Sequence, residues 1–509
     1  MASASAAAAV VSLLYWCAFL LLLLFLCSTN NGSYAYAYIN NNNNNNNGGQ
    51  GRHDALQIQT TSLLRGTPWH CSPSNPQGNQ YYDDEGASMM RVVHRHGPCS
   101  KLSTTTQNTT NIHTAPTRPP LTRNILSLDQ SRVDSIQSIL RPHSNPNAND
   151  ADLPAKSGLL IGSANYIITV GLGTPKRDLS LAFDTGSDLT WTQCKPCIKR
   201  CYTQKEPIFN PSLSKSYKNV SCSSPRCSQL TSATGNSHDC SSATCVYGIQ
   251  YGDQSFSSGY FAEETLRLTP TDVFPNFLFG CGQDNEGLFE GAAGLLGLGR
   301  DQLSLVSQTA SKYGKYFSYC LPSISSSTGH LTLGKGSTPE NLKFTPFARN
   351  PRETDSFYFV DITKIRVGGV TLSISQTVFK RSRTIIDSGT VITRLPPVAY
   401  TALRTTFRKQ MKKYPLTDPV SVLDTCYDLS KYKTVLIPKI SIFFSGDVEV
   451  PIDLSGIMYA VDESQACLAF AGNSHASDVG IMGNAQQQTL EVVYDVAGGK
   501  LGFATGGCS

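Results

Sequence analysis

Short apolar runs broken by Gly and Pro recur from about Ser157 to the C-terminus and read as β-strands. "YIITVGLG" at 166–173 and "LSLAFD" at 179–184 set the pattern. Helical periodicity is rarer. It surfaces in "AYTALRTTFRKQMKK" at 399–413, where Leu403, Phe407 and Met411 recur every four residues. It surfaces again in "SLDQSRVDSIQSILR" at 127–141, where Leu128, Val133, Ile136 and Ile139–Leu140 make a short amphipathic helix. Residues 28–150 are otherwise polar, with unbroken Asn from Asn40 to Asn47 and then mostly Ser, Thr, Asn and Pro. Such sequence buries too little apolar surface to offset its ordering entropy. It is expected to be a largely disordered segment ahead of the folded part, with a polar linker ending near Ala155.

About 350 residues of mostly strand exceed one comfortable core, so two lobes are expected. A repeat supports them. "LAFDTGSDLTW" at 181–191 and "TIIDSGTVITRLP" at 384–396 each run an apolar strand into Asp, Ser or Thr, Gly, and Ser or Thr. Each is followed by Gly, two apolar residues and Gly: "GLLG" at 294–297, 110 residues after Asp184, and "GIMG" at 480–483, 93 residues after Asp387. A duplicated β lobe, each copy donating one carboxylate, is the simplest reading. One such motif by chance in this length is roughly a few per cent probable at ordinary residue frequencies, and two well below ~1%.

The motif suits a tight loop at a strand end. Gly186 and Gly389 let the backbone turn and expose an N–H toward the carboxylate. Ser187 and Thr390 are placed to hydrogen-bond that carboxylate, and Thr185 and Ser388 to tie the two loops across a pseudo-twofold axis. Two carboxyls side by side in a dry cleft do not both ionise. The charged one would take a proton from a water that attacks a peptide carbonyl, while the protonated one polarises that carbonyl. This chemistry uses no metal, no cofactor and no covalent intermediate.

On these residues the chain resembles the pepsin-like aspartic endopeptidases, and within them the nepenthesin-type branch of plants. The resemblance covers about 160–509, and "VVHRHGPCS" at 92–100 also resembles the prosegment of that branch. It implies an all-β, bilobal fold with a few short helices and Asp184 and Asp387 in a central cleft. The implied organisation is a signal peptide (1–35), a prosegment (36–155), an N-terminal lobe (156–350) and a C-terminal lobe (351–509). A flap is implied too, matched by the hairpin "VYGIQYGDQSFSSGYFAEE" at 246–264 with Tyr251, Gly252 and Asp253 near its tip. Trp191 matches the tryptophan whose indole N–H supports the flap tyrosine. The implied activity is acidic hydrolysis of proteins and peptides by a monomer that is held inactive by its own prosegment.

Cysteine usage places the protein on the export route. Of 16 Cys, two lie in the leader, Cys71 and Cys99 lie in the next region, and twelve fall between Cys194 and Cys508. An even dozen in an exported chain reads as six disulfides. "CKPCIKRC" at 194–201 and the C-x4-C-x12-C-x4-C run at 222–245 have spacings that would suit zinc or redox sites in a cytosolic protein, and export argues against both. The second spacing is palindromic, as nested bridges Cys222–Cys245 and Cys227–Cys240 would require. The resemblance adds Cys194–Cys197, Cys201–Cys281, Cys320–Cys508 and Cys426–Cys467, although connectivity is not fixed by sequence. Residues 10–26 form one uncharged apolar run that reads as a secretory signal, with a single-pass anchor as its rival. Sequons at Asn31, Asn108 and Asn219 fit secretion to the apoplast or delivery to the vacuole, ahead of a plastid.

Charge adds two points. From residue 151 onward 33 Lys/Arg face 30 Asp/Glu, which leaves no electrostatic footprint for nucleic acid or membrane headgroups. A DNA-binding reading, known for a nucleoid relative in this branch, would rest on Arg404, Arg408, Lys409, Lys412 and Lys413, which read as a solvated helix face. A catalytically weak relative acting as a binding or inhibitor protein is the other alternative, and both Asp motifs are intact. Six of nine histidines precede residue 150: His53, His70, His94, His96, His113 and His143. Their charging near pH ~6.5 is expected to loosen the prosegment and promote self-cleavage near 145–160, with "HRH" at 94–96 over the dyad and Arg95 as counter-ion.

Overall fold

The structure, a computed structural model, describes residues 54–64, 71–72, 87–102, 118–140, 166–251, 255–287, 289, 291–349 and 356–508, all within the unit His53–Ser509. The leader, the Asn tract, Asn31, Asn108, His53, His70, His113, His143, Gly252, Asp253 and the expected cleavage region lie outside the described residues.

The polar stretch before residue 150 supplies four ordered elements where disorder was the general expectation: β1 (Ala55–Gln59), a one-turn helix (Thr60–Leu64) that continues it, β2 (Ser88–His94) and α1 (Arg118–Leu140). They order because each borrows a core from the rest of the molecule. β1 adds antiparallel to the strand Thr434–Pro438, with Leu56 opposite Ile437. β2 lies between the strand Thr328–Leu333 and β3 (Tyr166–Leu172), with Met90 opposite Leu331 and Val92 opposite Ile168. Met90 and Val92 are buried in the main apolar core. α1 buries Leu126, Val133, Ile136 and Leu140 along one face, a helical stripe wider than the one seen from 127 onward.

β-branched and aromatic residues carry β3 into β4 (Arg177–Asp184), an antiparallel pair with Ile168 opposite Leu181. Both belong to a 15-stranded sheet that runs from the N-terminal half into the last two strands, Leu490–Asp495 and Lys500–Thr505. Smaller sheets of five, four and four strands fill the C-terminal half. The molecule is the bilobal, mostly β fold expected, and its helices are short apart from α1 and Pro397–Gln410.

The repeat has a structural meaning. Gly294–Gly297 pairs parallel with β4, and Gly480–Met482 pairs parallel with the strand Thr384–Ile386 that leads into Asp387. Glycine closes each unit because nothing larger fits. A Cβ on Gly297 would lie 2.1 Å from the Asp188 carbonyl oxygen, and one on Gly483 would lie 2.5 Å from that of Val391.

Seven disulfides join the described cysteines, and four of the expected pairings are replaced. Cys194 bonds Cys281, and Cys197 bonds Cys201, in place of Cys194–Cys197 and Cys201–Cys281. Strand pairing decides this, because β5 (Trp191–Gln193) lies parallel to the strand carrying Cys281 and both cysteines are buried where the strands meet. Cys222–Cys240 and Cys227–Cys245 replace the nested pair. Cys240 and Cys245 face each other across a short hairpin, yet each joins a cysteine of like burial: Cys227 and Cys245 inside, Cys222 and Cys240 toward the surface. Spacing symmetry carries no such information. Cys320–Cys508 and Cys426–Cys467 are both present, and Cys71 bonds Cys99.

The basic helix α2 (Pro397–Gln410) buries Ala399, Tyr400, Leu403 and Phe407. Arg404 and Arg408 turn to Asp424 and Thr425, so part of the basic cluster is already paired within the fold. Among the described residues no helix is long and apolar enough to cross a membrane.

Candidate active site

The two repeated strands end at the same place. Asp184 and Asp387 are fully buried, and each accepts the N–H of the glycine two residues on: Gly186 at 3.0 Å and Gly389 at 3.1 Å. The inner hydroxyls cross between loops. The Thr185 N–H donates to Ser388 Oγ and the Ser388 N–H donates to Thr185 Oγ1, both at 3.0 Å, which locks one loop against the other. Asn484, just after "GIMG", donates to the Ser388 carbonyl and braces that loop from behind.

The outer hydroxyls behave differently in the two halves. Thr390 Oγ1 donates to Asp387 Oδ2 at 2.5 Å. Ser187 Oγ is buried without a hydrogen-bond partner among the described residues, while both oxygens of Asp184 accept from another group.

That group is the guanidinium of Arg132. Nη2 donates to Asp184 Oδ1 and Asp387 Oδ1, both at 2.7 Å, Nε donates to Asp387 Oδ2 at 2.9 Å, and Nη1 reaches Asp184 Oδ2 at 3.3 Å. A planar, permanently charged fork is the side chain best matched to two converging carboxylates. The glycines leave room for it, since a Cβ on Gly389 would lie 2.3 Å from the guanidinium carbon. Arg132 is itself fully buried. Burial lowers its pKa, but the two carboxylates outweigh burial and raise it, so it stays charged.

The carboxyls respond unequally. Burial raises Asp184, helped by the charge of Asp387, and wins over Arg132. Burial also opposes ionisation of Asp387, but Arg132, Thr390 and the Gly389 N–H hold it below the ordinary carboxylate value.

Arg95, the expected counter-ion, is elsewhere. β2 is committed to pairing with β3, with His94 opposite Tyr166, so residue 95 emerges at the sheet margin and donates through Nη2 to the Phe289 carbonyl. His94 and His96 pack near each other and not over the dyad, with His94 edge-on to Tyr166. Burial first, and Arg95 beside them, lower His94 to about 4; burial, His94 and Arg95 lower His96 to about 3. Arg132 carried a faint sequence signal: an arginine beside Val133 on the apolar face of the helix read at 127–141.

The rest of α1 is fitted to the C-terminal side of the cleft. Leu126 joins Val391, Ile392, Val420 and Leu423, and Val133, Ile136 and Leu140 pack on Phe357, Phe359, Ile385 and Ile481. Gln137 pairs with Val479 as a strand would, donating to its carbonyl and accepting its N–H, both at 2.7 Å. Across the cleft Trp191 Nε1 donates to Tyr251 Oη at 2.6 Å, and the Tyr251 and Trp191 rings both meet Phe289 edge-on. Gly252 and Asp253 follow outside the described residues.

Known proteins match this architecture. Two family models fit, described as Xylanase inhibitor N-terminal over residues 166–335 and Xylanase inhibitor C-terminal over 357–505. An aspartyl protease family protein of Arabidopsis thaliana is 55% identical over 460 residues, 90% of this chain and 94% of its own. The aspartic proteinase nepenthesin-2 of Nepenthes gracilis is 35% identical over 464 residues, 89% of this chain and 96% of its own. Among solved structures, Basic 7S globulin from soybean aligns with a TM-score of 0.54 at 22% identity, covering 67% of this chain and 92% of that one. That likeness is one of fold.

Proposed function

The chain belongs to the pepsin-like aspartyl protease family and is an aspartic-type peptidase, and from that premise we propose that it is an acid-acting endopeptidase made as a secreted zymogen, with Asp184 and Asp387 as the catalytic pair and α1 as the plug. With α1 gone, a water takes the place of the guanidinium between the carboxyls. The ionised carboxyl accepts a proton from this water as its oxygen bonds to the peptide carbon. The protonated carboxyl gives its proton to the carbonyl oxygen; the diol then returns a hydroxyl proton to that carboxylate and collapses as the other carboxyl passes the proton taken from water to the leaving amide nitrogen. Gly186, Gly389 and Thr390 keep the carboxyls oriented, and Ser187 becomes available to Asp184. Thr185 and Ser388 hold the loops at a fixed separation. Tyr251, Gly252 and Asp253 close over substrate, with Trp191 bracing the tyrosine.

One observation carries the zymogen reading: a buried arginine from the N-terminal segment satisfies both carboxylates at once. A group in that position excludes both water and substrate. The apolar leader at 10–26 and the oxidised cysteines support export, and Asn219, exposed on its strand, is available to carry a glycan. A binding or inhibitor role finds support in the names of the matched models alone, and both dyad loops are complete in this chain.

The test is to express the full chain, acidify it, and sequence the new N-terminus and the cleavage products with and without pepstatin. A new terminus beyond residue 140, with pepstatin-sensitive peptide hydrolysis, is expected. Hydrolysis by a chain that still carries residues 118–140 in place would remove the plug from the account.

A further inference from the structure

α1 places a second charged residue in the cleft. Asp129 lies one turn before Arg132 on the same face and is fully buried. Its Oδ1 accepts the Val391 N–H at 2.5 Å, and its Oδ2 accepts the Ile392 N–H at 3.2 Å and Arg394 Nη2 at 3.0 Å. Arg394 is 1% exposed, held by Nη1 donating to the Ile392 carbonyl at 2.8 Å. Its Nη2 also reaches Gln130 Oε1 at 3.3 Å.

The donors and their guest come from different parts of the chain. Two consecutive backbone N–H groups and a guanidinium, all on the loop and strand that follow Asp387, converge on one point. The carboxylate there comes from α1. When α1 leaves, both acceptors of Arg394 Nη2 leave with it, and the Val391 and Ile392 N–H groups lose theirs. A guanidinium and two N–H donors then converge on one vacated point of the opened cleft, where a carboxylate accepts from all three and a single water does so poorly.

We propose that Arg394 with the Val391 and Ile392 amides is an acid-selective substrate subsite, and that Asp129 occupies it as a stand-in for an aspartate or glutamate side chain of the substrate. The inference rests on α1 being removed on activation. Three residues of helix rise about 4.5 Å, against about 3.3 Å per residue of extended peptide. Those figures compare main chains, and the Arg132 side chain reaches further to the dyad, so the selected residue lies within about three positions of the scissile bond. Bidentate-capable guanidinium plus backbone N–H groups discriminates a carboxylate from its amide, because an amide brings an NH2 against a donor.

The experiment uses the acid-activated protein and pairs of peptides that differ only as Asp/Asn or Glu/Gln, at each of three positions on either side of the cleaved bond. At about pH 5 a free carboxylate is largely ionised. At one position the acidic peptide is expected to exceed its amide partner in kcat/KM by tenfold or more. Arg394→Gln should bring that ratio close to one, and Arg394→Lys should leave an intermediate ratio if the Gln variant does not fold. An active enzyme with no acid preference at any position overturns the proposal, as does a preference untouched by both substitutions. N-terminal sequencing of the same sample separates this from failure of the zymogen reading, in which active protein would retain residues 118–140.

Discussion

At the scale of single residues, the dyad and its plug make opposite predictions. Asp184→Asn or Asp387→Asn removes the carboxyl that must exchange a proton with water, and general acid–base contributions of this kind are worth about 10²–10⁴-fold. Peptide hydrolysis at acid pH is expected to fall by at least ~10³-fold in each, measured on protein whose prosegment has been removed by an added protease. Arg132→Gln should act the other way. A neutral amide holds two carboxylates far less well than a charged fork, so conversion of the full chain at a fixed mildly acidic pH should speed up by tenfold or more, followed by gel electrophoresis over time. Slower or unchanged conversion would show that Arg132 is not what keeps the cleft closed. The two aspartates were legible because each sits in a repeated local signature, strand into Asp-(Ser/Thr)-Gly. Arg132 was not, because what matters about it is a contact across 52 and 255 residues of sequence. Its local context shows only an arginine on the apolar side of a helix.

At the scale of elements, β2 explains how acid can act although, among the described residues, no histidine contacts the dyad. A histidine released with β2 charges near pH ~6.5, whereas in the docked strand His94 stays neutral to about 4 and His96 to about 3. Between those values the released segment binds more protons than the docked one, so docking weakens as pH falls through that window. Each histidine costs docking on the order of 1 kcal/mol per pH unit there, and below about 3 no further loss follows. Tyr166 meets His94 edge-on, the two rings lie near each other, and Arg95 bears on both. Replacing both by Gln should flatten the rise in conversion rate between about pH 6.5 and 4, measured as rate against pH in otherwise identical protein. A profile as steep as that of the parent chain would rule the strand out as the sensor. Elements also show why cysteine pairing escaped the sequence. The spacing of 222–245 was symmetric, but the bonds join buried Cys227 to buried Cys245 and the more exposed Cys222 to Cys240, and burial depends on the packing behind the hairpin. Non-reducing peptide mapping should recover Cys222 with Cys240 and Cys227 with Cys245.

At the scale of the whole molecule, the described residues of the N-terminal segment are attached at three separate places: β1 on the edge strand Thr434–Pro438, β2 inside the large sheet, and α1 in the cleft. None of these attachments is covalent among the described residues. Cys71–Cys99 closes within the segment, and the other six bridges close within residues 194–508. Cutting the chain beyond α1 would therefore leave a complex held by sheet pairing, apolar burial and the ion pairs of Arg132 and Asp129. At neutral pH His94 at the end of β2 and His96 just after it are uncharged and the dyad favours its guanidinium partner, so the cut segment is expected to stay bound. In acid both conditions weaken together, as β2 gains a reason to leave and protonation of a carboxyl removes half of what Arg132 holds. A sample cut with an added protease at neutral pH should elute as one species on size exclusion and hydrolyse peptide poorly. Brought to about pH 4, it should separate into segment and active enzyme without further cleavage. Full activity at neutral pH as soon as the chain is cut would mean that covalent continuity, and not the three attachments, had kept the segment in place.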